Sequence, residues 1–294
     1  MFIQLRTEPA LDSTTPAVNH RLQKIRHVAL DMDGTIYKGG TLFEATDPFL
    51  QRLRELGIGY TFLTNNPSKS VGDYLAHLRH LGIPATEEQL YTSVQATIEF
   101  LHEKWPVVRR LFALGTPSMC GEFQAAGFTL LPDSPQEVPD AVIVGFDNTL
   151  TYSRLCRAAW WINQGKPWFA TNPDRVCPTD QPTTLVDCGS ICAALEATTG
   201  RAPNAVLGKP DPAMIRGILQ RHTLAPDELA MVGDRLYTDI LMAQRAGVLG
   251  VLVLTGEATA AEAAAFSPAP DLVVSGLAEL GDRLSAARQE IVSL

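Results

Sequence analysis

The chain has few cysteines, no long apolar run and no excess of positive charge. Its five cysteines (Cys120, Cys156, Cys177, Cys188 and Cys192) are odd in number and none stands in a CxxC spacing, which argues against a disulfide framework or a zinc cluster and for buried free thiols. No stretch reaches the roughly 18 apolar residues needed to span a membrane. Residues 1–25 carry acidic and polar side chains without a continuous apolar core, so they do not read as a signal peptide. A cytoplasmic protein is expected. With 24 basic against 32 acidic residues the formal net charge is −8, so neither a nucleic acid polymer nor an anionic membrane is expected as a partner. A phosphorylated ligand would need a metal or a few local cations.

What the sequence does hold is a 46% hydrophobic, 19% charged composition over 294 residues, which fits a globular protein large enough for two domains. Short apolar runs alternate with longer helical patterns, the mark of parallel sheets covered by helices on both faces. His27–Asp31, Tyr60–Thr64, Leu229–Gly233 and Val248–Leu254 read as buried strands, and 46–56, 68–81, 211–222 and 236–246 as helices. Ala258–Ala265 reads as a short surface helix. A middle block has its own alternation: strands at Arg109–Leu114, Ala141–Phe146 and Trp168–Thr171, helices at 117–127, 151–164 and 189–199. The expected fold is therefore α/β, a Rossmann-like doubly wound parallel sheet core with an inserted α/β cap domain. Residues 1–91 and 205–294 would form the core, with an extension at 1–25, and 92–204 the insert.

In open parallel sheets, ligands bind beyond the carboxyl ends of the strands, and here those ends are acidic. The first strand runs into Asp31-Met32-Asp33-Gly34-Thr35, and a later one into Gly233-Asp234, with Asp239 five residues on. A single aspartate after a strand is ordinary turn chemistry. Four of them after two buried strands need compensation, because each carboxylate raises the proton affinity of the next. Magnesium suits such an all-oxygen set, which would leave room for waters and a phosphate oxygen.

Two loops offer what a phosphate requires. Thr64-Asn65-Asn66-Pro67 follows a strand and precedes a helix, presenting a hydroxyl and backbone N–H groups; Gly208-Lys209-Pro210 places a lysine before another helix. Each is also a plain turn: TNNP caps helices well, and GKP fits any surface loop.

With these motifs together the sequence resembles the haloacid dehalogenase-like hydrolase superfamily, and within it the subfamily with an inserted α/β cap, of the NagD and 4-nitrophenylphosphatase type. DMDGTIYKGG, TNN, GKP and GDRLYTDI occur in the family's order, and VGFDNTLTYSRL followed by ATNPD resembles its cap. The resemblance implies a phosphoric monoester hydrolase acting on a small phosphorylated metabolite: a nucleoside monophosphate, a sugar phosphate, phosphoglycolate or pyridoxal phosphate. It implies Asp31 as the nucleophile that takes the phosphoryl group and Asp33 as general acid and then base. Thr64, Asn65 and Lys209 would bind the phosphate. Asp31, the backbone carbonyl of Asp33, and Asp234 would hold magnesium, with Asp239 behind them or acting through a water. An acid at position 33 speaks for phosphoryl transfer, since dehalogenating relatives lack it. Two alternatives stay open: a phosphotransferase or mutase of the same fold, and a non-catalytic phosphometabolite-binding protein.

The cap loops 168–174 and 186–190 would face substrate, although Asp187-Cys188-Gly189-Ser190 stands where many relatives carry a Gly-Ala-Gly-Ser-like segment. Asp187 is either a leaving-group contact or a helix N-cap. Trp160 and Trp161 are candidates for a homodimer contact through the cap and, equally, for cap core. His77 and His80, three apart, read as a solvated helix face.

Overall fold

The computed structural model describes residues 16–177 and 182–292. The chain forms two compact units, one from Met1–Leu63 with Ile218–Leu294 and one from Thr64–Gly217, so that the second is inserted in sequence within the first. The expected insert, 92–204, lies inside the second unit, which also takes in the residues on either side of it.

In the first unit, parallel strands run in the order Leu272–Val274, Leu249–Val253, Leu229–Gly233, His27–Asp31, Gly59–Thr64. His27–Asp31 and Leu229–Gly233 are buried at every position, which is why they read as continuous apolar runs rather than as alternating ones. Leu30 pairs with Val232 and Asp31 with Leu63, so the acidic segments after the two strands emerge side by side. The chain leaves His27–Asp31 toward Gly59–Thr64 on one side, whereas Leu229–Gly233 leads toward Leu249–Val253 on the other. The acidic ends therefore sit at the switch point where such sheets bind ligands. Helix Leu277–Val292 packs on helices Pro16–Lys24 and Thr46–Glu55.

The second unit has its own parallel sheet, in the order Ala205–Val206, Trp168–Ala170, Ala141–Val144, Arg110–Leu114, Thr129–Leu130. Its strands divide their side chains between two cores. Leu111, Ala113, Ile143 and Phe169 face a cluster with Val94, Leu101, Met119 and Phe123, from helices Ser93–Lys104 and Pro117–Ala125. The alternate residues Phe112, Leu114, Val142, Val144 and Trp168 face Ala158, Trp161, Ile191 and Leu195, from helices Tyr152–Asn163 and Cys188–Thr199. A period of two with both faces buried is the doubly wound pattern.

Several expectations shift. The strand expected to reach Phe146 ends at Val144, and the helix expected from 68 starts at Val71, where Ser70 and Asp73 form a capping box. The helix expected over 236–246 opens with a π-helical turn, Leu236–Ile240, before Leu241–Ala246. The thiols are not uniformly buried: Cys188 and Cys192 are, but Cys156 is exposed. Trp161 lies in the core at 3% exposure while its neighbour Trp160 is 39% exposed. Among the described residues no helix is long and apolar enough to cross a membrane.

Candidate functional site

The acidic centre is built by two strand ends of the first unit. One ligand atom each from Asp31, Asp234 and Asp239 lies within 4.8 Å of the others, and all three residues are buried. Asp31 is the last residue of its strand, and its Oδ2 accepts a hydrogen bond from Thr35 Oγ1 at 3.3 Å. The chain can reverse between Asp33 and Thr35 because Gly34 takes φ +86°, open to glycine but strained for other residues. A Cβ there would also meet Asp234 Oδ2 at 2.4 Å.

Asp33 is half-buried, and its Oδ1 accepts from the Gly39 N–H at 3.1 Å, next to the Tyr37–Lys38 and Thr41–Leu42 hairpin. Its side chain does not belong to the carboxylate trio. The π turn brings Asp239 back toward the strand end, where its Oδ2 accepts from the Arg235 N–H at 3.1 Å. Partial burial lowers the proton affinity of the Arg235 guanidinium, but the carboxylates of Asp234, Asp31 and Asp239 outweigh it and hold the group above its ordinary range.

Three carboxylates gathered at such range repel one another. A hard divalent cation fits this set because every donor is an oxygen. Asp31, Asp234 and Asp239 are brought together, and Asp239 stands in the cluster itself.

The phosphate-binding candidates Thr64, Asn65 and Lys209 belong to the second unit, and all three are buried. Thr64 Oγ1 accepts from the Asn66 N–H at 3.1 Å. The Asn65 side chain joins the two loops: its Oδ1 accepts from the Lys209 N–H at 2.7 Å, and its Nδ2 donates to the Lys209 carbonyl at 3.0 Å and to Asp174 at 3.2 Å. Its carbonyl accepts from Ser93 Oγ and from Asn172 Nδ2. The amide of Asn65 is thereby spent on fixing the TNN, GKP and ATNPD segments to one another.

Asp187 is the N-cap of helix Cys188–Thr199, accepting from the Cys188 N–H at 2.5 Å. Burial pushes its carboxyl up to about 6; the bond from Cys188 opposes this, and the nearby Asp174 carboxylate adds to it. His77 is half-buried and His80 exposed on their helix, and neither belongs to a ligand cluster among the described residues.

Arg235, inside the GDRLYTDI motif, and Thr255 and Glu257, outside every motif, are further residues of the site not expected from the sequence. Thr255 Oγ1 donates to the Gly34 carbonyl at 2.7 Å, and the Glu257 N–H to Asp234 Oδ2 at 2.8 Å. No spacing marks these two, since they lie on a loop more than twenty residues beyond Asp234.

Fold and site together define a doubly wound α/β protein with an acidic, cation-suited centre at a sheet switch point. A family model described as haloacid dehalogenase-like hydrolase matches residues 28–129, and a second HAD-hydrolase-like one matches 206–280. The 4-nitrophenylphosphatase of Thermotoga maritima is 39% identical, with a TM-score of 0.84 over 90% of this chain and 98% of that one. The ribonucleotide monophosphatase NagD of Escherichia coli K-12 is 30% identical over 87% of this chain and 98% of its own. A glycerol phosphate phosphatase of Mycobacterium tuberculosis, solved in complex with magnesium, is 33% identical, with a TM-score of 0.80 over 90% of this chain and 77% of that one. The chain belongs to the haloacid dehalogenase-like hydrolases, in the group typified by NagD and 4-nitrophenylphosphatase.

Proposed function

We propose that the chain is a magnesium-dependent phosphatase that hydrolyses small phosphate monoesters through a phosphorylated Asp31. The observation that carries this reading is the buried trio Asp31, Asp234 and Asp239, drawn from two adjacent strand ends and gathered within 4.8 Å. The phosphatase names of its relatives, and the magnesium complex of one of them, support it.

Asp31, the Asp33 backbone carbonyl and Asp234 hold the ion in this reading, with Asp239 supporting them. The ion supplies positive charge that offsets the repulsion between an anionic nucleophile and a phosphate. Asp31 attacks phosphorus, and the ester bond breaks as Asp33 gives its proton to the leaving oxygen. Asp33 then takes a proton from the water that attacks the aspartyl phosphate, which releases phosphate and restores Asp31. Thr64, the backbone N–H of Asn65 and the Lys209 ammonium hold the phosphoryl oxygens and stabilise the charge that develops on them. Residues 92–204 act as the cap, and loops 168–174 and 186–190 select the leaving group. The relatives' names span a ribonucleotide, a nitrophenyl and a glycerol ester, so the substrate is proposed as a class, a small phosphorylated metabolite. The exposed Trp160 is proposed as a homodimer contact through the cap, and the cytoplasm as the working compartment.

Release of inorganic phosphate from p-nitrophenyl phosphate with magnesium, and no added acceptor, tests the reaction and separates hydrolysis from transfer. Asp31→Asn should remove turnover while leaving the melting temperature near that of the wild type, because the amide keeps the shape and loses the nucleophile. A variant that kept a tenth of the wild-type rate would rule out Asp31 as the nucleophile.

A further inference from the structure

The loop that follows strand Leu249–Val253 touches both acidic segments at once. Thr255 Oγ1 donates to the Gly34 carbonyl at 2.7 Å, and the Gly34 N–H donates to the Tyr37 carbonyl at 2.7 Å. Both polar backbone groups of Gly34 are thus fixed in the turn between Asp33 and Thr35. Two residues on, the Glu257 N–H donates to Asp234 Oδ2 at 2.8 Å, and the Ala258 N–H donates to the Asp234 carbonyl at 3.1 Å. Between them Gly256 passes so close that a Cβ on it would lie 2.0 Å from Asp234 Oδ2. The loop is fastened in turn by its own side chain. The Glu257 carboxylate accepts from Arg235 Nε at 2.8 Å and from Tyr237 Oη at 2.8 Å, while the Arg235 N–H holds Asp239 Oδ2 at 3.1 Å.

We infer that Thr255, Gly256 and Glu257 form a clamp that sets the position of Asp234 against the Asp31–Thr35 turn, with Arg235 and Tyr237 locking the clamp shut. The inference rests on the metal-dependent phosphatase reading above and assigns positioning residues to it. A carboxylate can rotate about its last bond, and a cation held by groups from two segments needs both segments at a fixed spacing. Ordinary loop packing would not require a hydroxyl aimed at one carbonyl, an amide aimed at one carboxylate oxygen, and a glycine between them where no side chain fits. The half-buried arginine with its glutamate partner completes the circuit, because it stands next to Asp234 in sequence and its own amide restrains Asp239. Groups that orient metal ligands change metal affinity by about 10- to 100-fold when removed.

The test is calorimetric titration of magnesium into the wild type and into Thr255→Val, Thr255→Ser, Gly256→Ala and Glu257→Ala. Melting of each metal-free protein is measured alongside. Thr255→Val and Gly256→Ala should weaken magnesium binding by about 10- to 100-fold, Glu257→Ala by less, and Thr255→Ser should restore wild-type binding because it keeps the hydroxyl. If Thr255→Val does not fold, Gly256→Ala and Glu257→Ala carry the test. Wild-type magnesium affinity in the folded variants would overturn the clamp, as would equal weakening by Thr255→Ser and Thr255→Val. A wild type that neither binds magnesium nor releases phosphate would sink the phosphatase reading and the clamp with it, whereas an active wild type with indifferent variants sinks the clamp alone.

Discussion

Neighbouring residues of one type can have unrelated fates, and Trp160 and Trp161 show how much of that is visible in sequence. Trp161 is buried among Ala158, Cys188 and Leu195, whereas Trp160 stands partly exposed with the Arg157 guanidinium 5.4 Å from its ring centre. Trp161→Ala should cost about 3–5 kcal/mol by opening a large cavity, and Trp160→Ala much less. Urea unfolding of the two variants measures both, and equal losses would contradict this division of core from surface. The sequence could place the pair on one helix but not say which ring turned inward, since that depends on where the sheet lies. Asp31, Asp234 and Asp239 were legible because a carboxylate after a fully buried strand stands out. Thr255 and Glu257 were not, because one acts through a hydroxyl and the other through a backbone amide that any residue but proline could supply.

At the scale of elements, the strands with continuous apolar runs were legible nearly to the residue, and Leu229–Gly233 coincides with its expected bounds. Strand Leu90–Thr92, helix Ser93–Lys104, strand Leu272–Val274 and helix Leu277–Val292 were missed. The two strands are three residues long, too short for a period to register, and Gly281 lowers the helix propensity of a segment whose Leu277, Leu280, Leu284 and Ala287 keep helical spacing. The amino-terminal end of strand His27–Asp31 carries a pH response. His27 Nε2 lies 2.9 Å from Thr61 Oγ1, and its ring stacks on His222 at 4.2 Å. Burial, with the charge of His222 added, lowers His27 from 6.5 to about 3. The fold therefore holds His27 neutral while the unfolded chain protonates it near 6.5, so its contribution is intact above that pH and lost as pH falls toward 3. Unfolding free energy should drop in that window by up to about 1.4 kcal/mol per pH unit from this residue. His27→Gln should flatten the slope, measured by urea unfolding between pH 7 and pH 4; an unchanged slope would show that other groups set it.

Taken whole, the molecule keeps the acidic centre in one unit and the cap segments in the other. The alternation of strand and helix made an insertion legible. Removing 92–204 and closing the gap with a short linker should reduce turnover of a metabolite ester far more than that of p-nitrophenyl phosphate, since the nitrophenolate leaving group needs less help from a cap. Equal losses on both substrates, in a protein that still melts cooperatively, would make the insert structural only. The central claim, covalent transfer to Asp31 with Asp33 as acid and base, is tested most directly by quenched-flow mass spectrometry of Asp33→Asn. With p-nitrophenyl phosphate this variant should give a burst of nitrophenolate approaching one equivalent per site, phosphate on Asp31 in the quenched protein, and a slow steady state after it. Transfer from an alkyl phosphate should be slower by roughly 10²- to 10⁴-fold, because an alkoxide needs the missing proton. A linear time course without phosphoenzyme, with equal losses on aryl and alkyl esters, would contradict it.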